Sequence, residues 1–488
     1  MAMETVLSET LTEKLAPARD HWKAKNRYYY DYMEKNLMPF LVPSDKRVLE
    51  IGCGTGDLLA SAAPAAGVGI DHNPELIARA NDKYGKQSNL RFIVSDAEKD
   101  DWSKLGQFDV VVISDVVGYL TDIETLFQRL HAVTTPASRI IITQYNQLWE
   151  PLLNLASRLG QRMPTPLQNW LSGYDITNLL HLAGFEKVTS GRKLLLPKNV
   201  PLLGKFLNKF MANLPLINRL NLINYIVARP TPAAAPLATL AGGVAKRRQP
   251  SVSIIVPARN EAGMIEQIAS ELPILPGKVE VIFIEGNSTD HTWAEIKRVA
   301  ASYSGPHTIK YAQQAGRGKG DAVRKGFAMA EGDILMIYDA DMTVPVWEIP
   351  KFYQAIASRR GEFINGSRLV YPMEKQSMRT INYLGNKFFS VMFSWLLGQK
   401  VKDTLCGTKV LWRKDYEDIA KGRSWFGEFD PFGDFDLLFG AAKLNLKIVD
   451  LPVHYKERTY GTTNISRWKH GWLLLKMVWF AMHKIKFI

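Results

Sequence analysis

The sequence predicts an α/β protein with two doubly wound domains, and three observations support this. Its 488 residues are about three times the roughly 150 residues of an ordinary domain. Short apolar strands alternate with helical segments in both halves. Between the halves, Pro230 to Pro250 is rich in proline, alanine and glycine, which is typical of a linker. We therefore expect domains at 1–229 and 251–460, a linker at 230–250, and a basic amphipathic segment at 461–488.

The composition favours a globular protein whose positive charge is localised. Hydrophobic residues make up 46% and charged residues 22%, which excludes disordered chains and fibres. Of the net charge of +13, the acid-free stretch Lys187–Asn260 carries +12 and the residues after Glu457 carry +6. Both stretches are rich in large apolar residues, which favours an anionic membrane surface as partner over nucleic acid. Core helices with snorkelling lysines are the alternative.

Cysteine usage and the termini predict a cytoplasmic location. The two cysteines, Cys53 and Cys406, are far apart, which indicates a reducing compartment and no disulfide framework. The N-terminus has charges where a signal peptide would have an apolar core, and no run of about eighteen apolar residues occurs. We expect a protein that binds the cytoplasmic face of a membrane peripherally.

The first motif lies in residues 46–59, KRVLEIGCGTGDLL, where a strand leads into a glycine-rich turn and a helix. The turn contains Gly52, Gly54 and Gly56. Glycines here let the backbone approach a ligand closely. The GxGxG spacing differs from the GxGxxG of dinucleotide sites, so NAD is the weaker hypothesis. Asp71 ends a second strand, where a carboxylate can accept both ribose hydroxyls, and Asp96 follows a third.

Residues 28–185 resemble a class I S-adenosylmethionine-dependent methyltransferase. The resemblance implies that the three glycines line the methionine and ribose, that Asp71 holds the ribose hydroxyls, and that Asp96 contacts the adenine amine. Glu50, in the same motif, is assigned to the cofactor site. Methyl transfer mainly requires alignment of the acceptor with the methyl group. A strand-turn-helix unit that binds no cofactor is the alternative.

The methyl-acceptor side is less specific in the sequence. Strand-end candidates are Ser114, Asp115, Tyr119, Gln144, Tyr145 and Asn146, and no single base stands out. The tyrosines at 28–30 fit either a lid or, more simply, a packed helix. His131 is expected at a helix surface or terminus.

The second half repeats the strand-helix order with different motifs. Strands are predicted at 251–257 (SVSIIVP) and at VEVIFIE, which ends at Glu285. The stretch QQAGRGKGDAVRKGF then predicts a basic, glycine-rich loop, and GDILMIYDADMTVP places Asp339 and Asp341 at a strand tip. Two carboxylates separated by one residue can hold a divalent ion against a diphosphate.

The order of these motifs, with DTLCGTK after them, resembles an inverting family 2 glycosyltransferase of the GT-A fold over most of 251–460. It is similar to dolichyl-phosphate glucosyltransferases and dolichol-phosphate mannose synthases. The resemblance assigns the nucleotide to Pro257, Arg259, Glu261 and Glu285, the donor phosphates to Lys319, and Mg²⁺ or Mn²⁺ to Asp339 and Asp341. A UDP-sugar is favoured over a GDP-sugar. Where the family often has two adjacent acids, this chain has Glu285 followed by Gly286, which leaves one carboxylate.

The sugar acceptor is expected to be a polyprenyl phosphate. Asp434 and Asp436 lie where the family keeps an acceptor-side acid, and Asp434 is slightly favoured. An ionised lipid phosphate needs no base, so these acids would orient the acceptor or the metal, whereas a sugar hydroxyl would need one of them as general base. Arg379 and Arg458 are candidates to bind the acceptor phosphate. The resemblance also predicts that the apolar stretch Thr380–Leu397 lies in the membrane interface.

The sequence hypothesis is thus a bifunctional transferase. It would move a sugar from a nucleotide sugar to a polyprenyl phosphate or related glycolipid, and a methyl group from S-adenosylmethionine to an unknown acceptor. The alternative is a glycosyltransferase acting on a saccharide in surface polysaccharide synthesis, with a first domain that binds the cofactor or a partner without turnover.

Overall fold

A computed structural model describes residues 18–164, 168–232, 249–368, 380–423, 435–456, 460 and 467–486. The chain divides into two compact units. The N-terminal unit comprises Met1–Thr231 with Lys443–Asn445 and Lys486–Ile488, and the C-terminal unit comprises Pro232–Ala442 with Leu446–Ile485. Most of the linker predicted at 230–250 lies outside the described residues.

The described part of the N-terminal unit contains one seven-stranded sheet. Its strands are β1 (Arg47–Ile51), β2 (Ala66–Asp71), β3 (Leu90–Val94), β4 (Phe108–Ser114), β5 (Thr134–Tyr145), β6 (Phe185–Lys193) and β7 (Ile223–Pro230). They are ordered β3-β2-β1-β4-β5-β7-β6. Strand β7 is antiparallel to both of its neighbours, and the other pairs are parallel. The chain order reverses between β1 and β4, where open parallel sheets bind their ligands.

Helices cover both faces of this sheet. They are α1 (Arg19–Lys25), α2 (Arg27–Tyr32), α3 (Met38–Leu41), α4 (Asp57–Ser61), α5 (Pro74–Tyr84), α6 (Ile123–Arg129), α7 (Glu150–Arg158), α8 (Gly173–Leu182) and α9 (Leu203–Lys209), with a π-helical segment at Met33–Leu37. Alternate strand residues enter different apolar clusters, so that Val48 of β1 belongs to one and Leu49 to the other. This alternation is expected for a sheet that is buried on both faces.

The described part of the C-terminal unit also contains one seven-stranded sheet. Its strands are β8 (Val252–Ala258), β9 (Val279–Glu285), β10 (Thr308–Gln313), β11 (Ile334–Ile337), β12 (Phe363–Ser367), β13 (Lys409–Trp412) and β14 (Ile448–Pro452). Their order is β10-β9-β8-β11-β13-β12-β14. Strand β13 is antiparallel to β11 and β12, and the remaining pairs are parallel.

The helices of this unit are α10 (Ile265–Glu271), α11 (Thr292–Ser302), α12 (Lys319–Met329), α13 (Ile349–Ala357), α14 (Thr380–Leu397), α15 (Arg413–Lys421), α16 (Phe435–Lys443) and α17 (Arg467–Ala481), with a π-helical segment at Met482–Lys486. Within the described residues, no helix combines the length and apolar character that crossing a bilayer requires. The two mixed α/β sheets confirm the predicted fold class. The antiparallel placement of β7 and β13 was not predicted.

Asn73 links the stability of the N-terminal unit to the candidate cofactor site. Its side-chain oxygen accepts hydrogen bonds from the backbone N–H groups of Glu75 (2.9 Å) and Leu76 (3.2 Å) at the start of α5. Its own N–H donates to Asp71 (2.9 Å). The side chain therefore caps the helix that follows Asp71.

We predict that Asn73→Ala lowers the free energy of unfolding of the N-terminal unit by about 1 kcal/mol, since it removes the cap. Asn73→Ser, which keeps an acceptor, is the matched control and should cost only a few tenths of a kcal/mol. Urea denaturation of both variants measures this difference. Equal stability of the alanine and serine variants would contradict the cap.

Candidate active sites

A cavity of about 1020 Å³ lies in the N-terminal unit where β1 to β5 end. It is lined by residues that end or follow these five strands, among them Glu50, Gly52, Asp71, Asp96 and Tyr145. Since the carboxyl ends of the parallel strands converge here, the sheet brings together side chains that are far apart in sequence. The cavity is therefore the candidate methyl-transfer site.

The turn after β1 has a shape that requires glycine. Gly52 has φ +74°, Gly54 +54° and Gly56 +77°, all left-handed. A Cβ atom on Gly52 would lie 2.3 Å from Cγ2 of Val116. This glycine therefore permits the turn to pack directly on the residues that follow β4. Gly54 and Gly56 shape the turn, whereas Gly52 itself lines the cavity.

Asp71 supports this turn and also lines the cavity. One of its carboxylate oxygens accepts a hydrogen bond from the N–H of Gly54 (2.9 Å), and the other accepts from Asn73 (2.9 Å). The side chain is almost fully buried. Its position is thus fixed by two backbone donors before any ligand binds.

Glu50 is a buried carboxylate without a complete set of partners. It is 3% exposed, and its Oε2 atom has no hydrogen-bond partner. Burial raises the pKa of Glu50 to about 8, although the positive charge of Lys23 opposes this shift. A buried, unpartnered carboxyl oxygen in a cavity wall fits a ligand that carries a positive charge or a donor.

Asp96 is more accessible than the other two acids. It accepts a hydrogen bond from the N–H of Glu98 (2.9 Å) and forms an ion pair with Lys99 (3.0 Å). Burial opposes ionisation, but these two partners hold the pKa of Asp96 below its ordinary value. Asp96 is therefore an ionised acceptor at the edge of the cavity.

A fourth carboxylate in the cavity wall, Asp115, is positioned by a tyrosine. Asp115 follows β4 with a left-handed φ of +57°. One of its oxygens accepts a hydrogen bond from the hydroxyl of Tyr29 (2.5 Å), and its Oδ1 has no partner. Burial raises the pKa of Asp115, although the Tyr29 hydrogen bond opposes the shift. The ring of Tyr145 lies 5.7 Å from that of Tyr29, with the guanidinium of Arg162 over it at 5.2 Å. This group can orient a hydroxyl or amine acceptor or take its proton.

The remaining acceptor-side candidates separate into two groups. Ser114 and Tyr119 line the cavity with Asp115 and Tyr145. Gln144 instead donates to the carbonyl of Leu171 (2.9 Å), and Asn146 to those of Arg219 and Asn221 (2.9 and 2.8 Å).

The aromatic and histidine candidates also differ in position. Tyr29 and Tyr30 line the cavity, whereas the hydroxyl of Tyr28 accepts from Asn208 (3.0 Å). His131 lies 2.8 Å from the carbonyl of Ala183 and stacks on Phe185. The tyrosine run therefore contributes two of its three members to the wall of the site.

In the C-terminal unit, Asp339 and Asp341 follow β11, beside the ends of β8 and β9. Asp339 forms an ion pair with Lys319, the first residue of α12 (2.6 Å). Asp341 accepts hydrogen bonds from the backbone N–H and hydroxyl of Thr343 (3.2 and 2.8 Å). The two carboxylates therefore lie at one strand tip. Lys319, which follows the glycine-rich loop, links that loop to the strand tip through its ion pair with Asp339.

Lys319 contacts Asp339, and two further cations attract its carboxylate. Burial opposes its ionisation, yet the pKa of Asp339 is held below its ordinary value. The responsible charges are Lys319, Lys409 and Arg368. Lys409 is fully buried, and its ammonium group donates to the carbonyl of Cys406. The sequence predicted only Lys319 among these three.

Backbone packing fixes the ion pair between Asp339 and Lys319. A Cβ atom on Gly407, in the segment DTLCGTK, would lie 1.9 Å from Oδ2 of Asp339 and 2.5 Å from the ammonium nitrogen of Lys319. No side chain fits at this position without displacing the pair. The segment therefore packs its backbone directly on the candidate donor site.

A buried ion pair positions that segment. Asp403 is fully buried and accepts two hydrogen bonds from the guanidinium of Arg368 (2.7 and 2.9 Å) and one from its backbone N–H (3.0 Å). Asn386 of α14 adds another at 2.9 Å. Sequence reasoning missed this cluster because nothing local joins residues 368, 386 and 403. The only signal was that Asp403 begins the DTLCGTK motif.

The residues assigned to the nucleotide lie at the ends of β8 and β9. Glu285 is buried and accepts hydrogen bonds from the N–H of Ser288 (2.5 Å) and the amide of Gln313 (3.0 Å). Pro257 is half-buried and Arg259 exposed, while Glu261 is buried, with its N–H donating to Thr292 (2.9 Å).

Gly286 has little room for a side chain. Its Cβ would lie 3.2 Å from Cβ of Arg259 and 3.3 Å from the carbonyl oxygen of Ala258. This tight packing is consistent with a glycine where the resembling family often has a second acid.

The acceptor-side predictions are only partly described. Asp436 lies in the first turn of α16, is 7% exposed, and has Oδ2 3.6 Å from Nε of Arg423. Asp434, Arg379 and Arg458 lie outside the described residues. Within the described ranges, no three His, Cys, Asp or Glu side chains cluster to hold a metal. Asp339 and Asp341 fit a divalent ion that takes its other ligands from a diphosphate and water.

Known proteins with which this chain shares similarity include two curated relatives and a solved structure. A dolichyl-phosphate hexose transferase of Haloferax volcanii is 25% identical over 221 residues, which cover 45% of this chain and 89% of that protein. A dolichol-phosphate mannosyltransferase of Pyrococcus furiosus is 31% identical over 121 residues, which cover 24% of this chain and only 33% of that protein. The magnesium protoporphyrin IX methyltransferase of Synechocystis covers 46% of this chain and 100% of its own, at 16% identity and a TM-score of 0.33.

Two family models match separate parts of the sequence. The methyltransferase domain model matches residues 25–190, and the glycosyl transferase family 2 model matches residues 253–419. These matches confirm both predicted resemblances. The chain is therefore a transferase that carries a methyltransferase domain followed by a glycosyl transferase family 2 domain.

Proposed function

We propose that this chain is a bifunctional enzyme. Its C-terminal unit transfers a sugar, with inversion, from a nucleotide donor to a polyprenyl phosphate, and a UDP-sugar is favoured over a GDP-sugar. Its N-terminal unit transfers a methyl group from S-adenosylmethionine. The observation that carries the proposal is the ion pair between Asp339 and Lys319 (2.6 Å) at the strand tip that also carries Asp341, with Lys409 and Arg368 adding attraction for the Asp339 carboxylate. Such a concentration of positive charge beside two carboxylates suits a metal-bound diphosphate.

The donor would bind between the strand tip and the DTLCGTK segment. Asp339 and Asp341 would hold Mg²⁺ or Mn²⁺, which supplies positive charge against the leaving diphosphate. Pro257, Arg259, Glu261 and Glu285 would bind the nucleotide. Lys319, already held by Asp339 at 2.6 Å, would contact the phosphates.

The acceptor step needs no base when the acceptor is a lipid phosphate. A phosphate oxygen attacks the anomeric carbon, the bond from that carbon to the donor diphosphate breaks, and the nucleoside diphosphate leaves with the electron pair. Asp436 forms an ion pair with Arg423 (3.6 Å). This interaction suits a residue that positions the acceptor and does not remove a proton from it. Asp434, Arg379 and Arg458 are proposed at the same acceptor side from the sequence.

Exposed apolar side chains support a lipid-borne acceptor. Phe388 and Val391 of α14 are 52% and 69% exposed, and Trp472 and Trp479 of α17 are 63% and 64% exposed. Aromatic and aliphatic groups of this kind are favoured at a membrane surface. We propose that the C-terminal unit binds peripherally to the cytoplasmic face of a membrane.

In the N-terminal unit, Glu50, Gly52, Gly54, Gly56, Asp71 and Asp96 would hold S-adenosylmethionine. The acceptor oxygen or nitrogen attacks the methyl carbon, the bond from sulfur to that carbon breaks, and the sulfur leaves as a neutral thioether. Asp115, oriented by Tyr29, would take the proton released by the acceptor.

The sugar-transfer proposal is tested with purified protein, Mg²⁺ or Mn²⁺, a short-chain polyprenyl phosphate and a panel of UDP- and GDP-sugars. We predict a lipid-phosphate glycoside that falls at least about 100-fold in Asp341→Asn, since the substitution removes a metal ligand. The control is Glu331→Gln, because Glu331 precedes β11 at the end opposite to the site and its side chain is 80% exposed. This variant should keep full activity. Transfer to a saccharide without any lipid-phosphate product would instead favour the polysaccharide hypothesis and make Asp434 or Asp436 a general base.

Gly407→Ala tests whether the close backbone contact matters for donor use. Because the new Cβ would overlap Asp339 and Lys319, we predict at least a tenfold loss of kcat/KM for the nucleotide sugar (about 1.4 kcal/mol). Gly422→Ala is the matched control, since its Cβ would meet only carbonyl oxygens 3.6 Å or more away. Equal activity of the two variants would refute the role of this contact.

The pKa of Glu50 predicts proton release on cofactor binding. Because burial raises this pKa to about 8, the carboxyl group is mostly protonated near pH 7. The ammonium and sulfonium charges of S-adenosylmethionine favour its ionised form, so affinity should rise as pH approaches 8. Calorimetry in buffers of different ionisation enthalpy measures the released proton. The Glu50→Gln variant should not release the proton that comes from Glu50. Any proton release that remains in this variant would come from the amine of the cofactor. Unchanged proton release in the glutamine variant would contradict the assignment.

A further inference from the structure

The N-terminal unit exposes a row of leucines beside its cavity. Leu148, Leu152, Leu155 and Leu159 recur at helical spacing from the turn before α7 to the residue after it, and each is between 51% and 65% exposed. Residues at this spacing share one helix face. An apolar face that carries four exposed leucines is unusual on a solvated surface and indicates an interaction.

A second exposed apolar segment lies next to this face. Leu202 and Leu216 are 87% and 77% exposed, and Leu203, Phe206 and Leu220 are 53%, 53% and 54% exposed. The indole N–H of Trp149 donates to the carbonyl of Leu220 (2.7 Å), which joins the two segments. We call these nine side chains, four from 148–159 and five from 202–220, the rim surface.

The rim surface borders the opening of the methyl-transfer cavity. Leu152 lines the cavity and is also 56% exposed, so it lies at the opening. Trp149 from the first segment and Lys198, just before the second, line the cavity as well. Whatever covers the rim surface therefore adjoins the route by which an acceptor enters.

The charge around the rim surface identifies the chemistry of its partner. Lys198, Lys205, Lys209 and Arg219 are all exposed in or beside the second segment. Residues 187–260 contain no Asp or Glu, and residues 148–159 contain one acid, Glu150, and one base, Arg158. Large apolar side chains interspersed with exposed cations suit an anionic phospholipid surface, which offers acyl chains and negative headgroups together.

We propose that the rim surface docks the N-terminal unit on an anionic phospholipid bilayer. This inference extends the membrane association proposed above to the methyltransferase unit. Together with the proposed methyl transfer, on which this last step rests, the docking implies that the cavity opens at the membrane. The methyl acceptor would then be an amphiphilic molecule whose apolar part stays in the lipid.

A site-specific probe tests the docking in the full chain. The two natural cysteines, Cys53 and Cys406, are 6% and 1% exposed, so an introduced surface cysteine can be labelled selectively. Leu155→Cys and Phe206→Cys would carry the environment-sensitive fluorophore NBD. Tyr174→Cys, at a side chain 79% exposed on α8, is the control. Vesicles contain phosphatidylcholine with or without phosphatidylglycerol.

We expect a blue shift and a severalfold rise in emission at 155 and 206 with phosphatidylglycerol vesicles, a weaker response at high salt, and no change at 174. Vesicles that bind the chain without any change at 155 and 206 would overturn the proposal. A shift that follows protein concentration without vesicles would also overturn it, because it would indicate a second copy as the partner.

A second pair of variants keeps this test separate from the proposed chemistry. Leu155→Asp and Phe206→Asp should lower vesicle binding at least about threefold, while sugar transfer to a short-chain polyprenyl phosphate in detergent stays unchanged. Full vesicle binding by both would contradict the docking surface. Failure of sugar transfer in the wild type would count against the proposed function alone.

Discussion

The buried carboxylate of Asp403 holds together the segments on which the proposed sugar-transfer site depends. It binds the guanidinium and backbone of Arg368 at the end of β12, and Asn386 of α14. Although burial opposes ionisation, Arg368 lowers the pKa of Asp403 to about 2. The pair therefore stays charged near neutral pH, and its stabilisation is lost progressively as the pH falls from the ordinary aspartate pKa of about 4 towards 2. Removing one partner of such a pair costs about 3–5 kcal/mol, since the other charge stays buried. Through this pair, the segment that carries Gly407 is held against Asp339.

A close contact between a glycine and a neighbouring side chain occurs in both units. In each, a glycine lets backbone approach a neighbouring side chain more closely than any other residue would allow, and a carboxylate lies beside that contact. In the N-terminal unit the glycine is Gly52, against Val116, with Asp115 adjacent. In the C-terminal unit it is Gly407, against Asp339. Both contacts occur at the carboxyl ends of the parallel strands, where the sheet itself provides no side chains to fill the space.

The sequence predicted what lies at strand ends, because apolar strands and glycine turns are local patterns. Asp71, Asp96 and Asp115 follow consecutive strands, and parallel pairing brings them to one edge. It did not predict the hydrogen bond between Tyr29 and Asp115, since these residues are 86 positions apart and no periodicity links α2 to β4. Lys409 was overlooked for a related reason: a lysine at the start of a strand is ordinarily exposed, and only the antiparallel insertion of β13 buries it.

We propose that Asp339, Asp341 and Lys319 form one metal and diphosphate site at the tip of β11. Anomalous diffraction from crystals grown with Mn²⁺ and UDP tests it most directly. We expect one manganese peak within coordination distance of a carboxylate oxygen of Asp341, with the diphosphate between that ion and Lys319. A diphosphate bound away from the strand tip, or a manganese peak that does not contact Asp341, would contradict it.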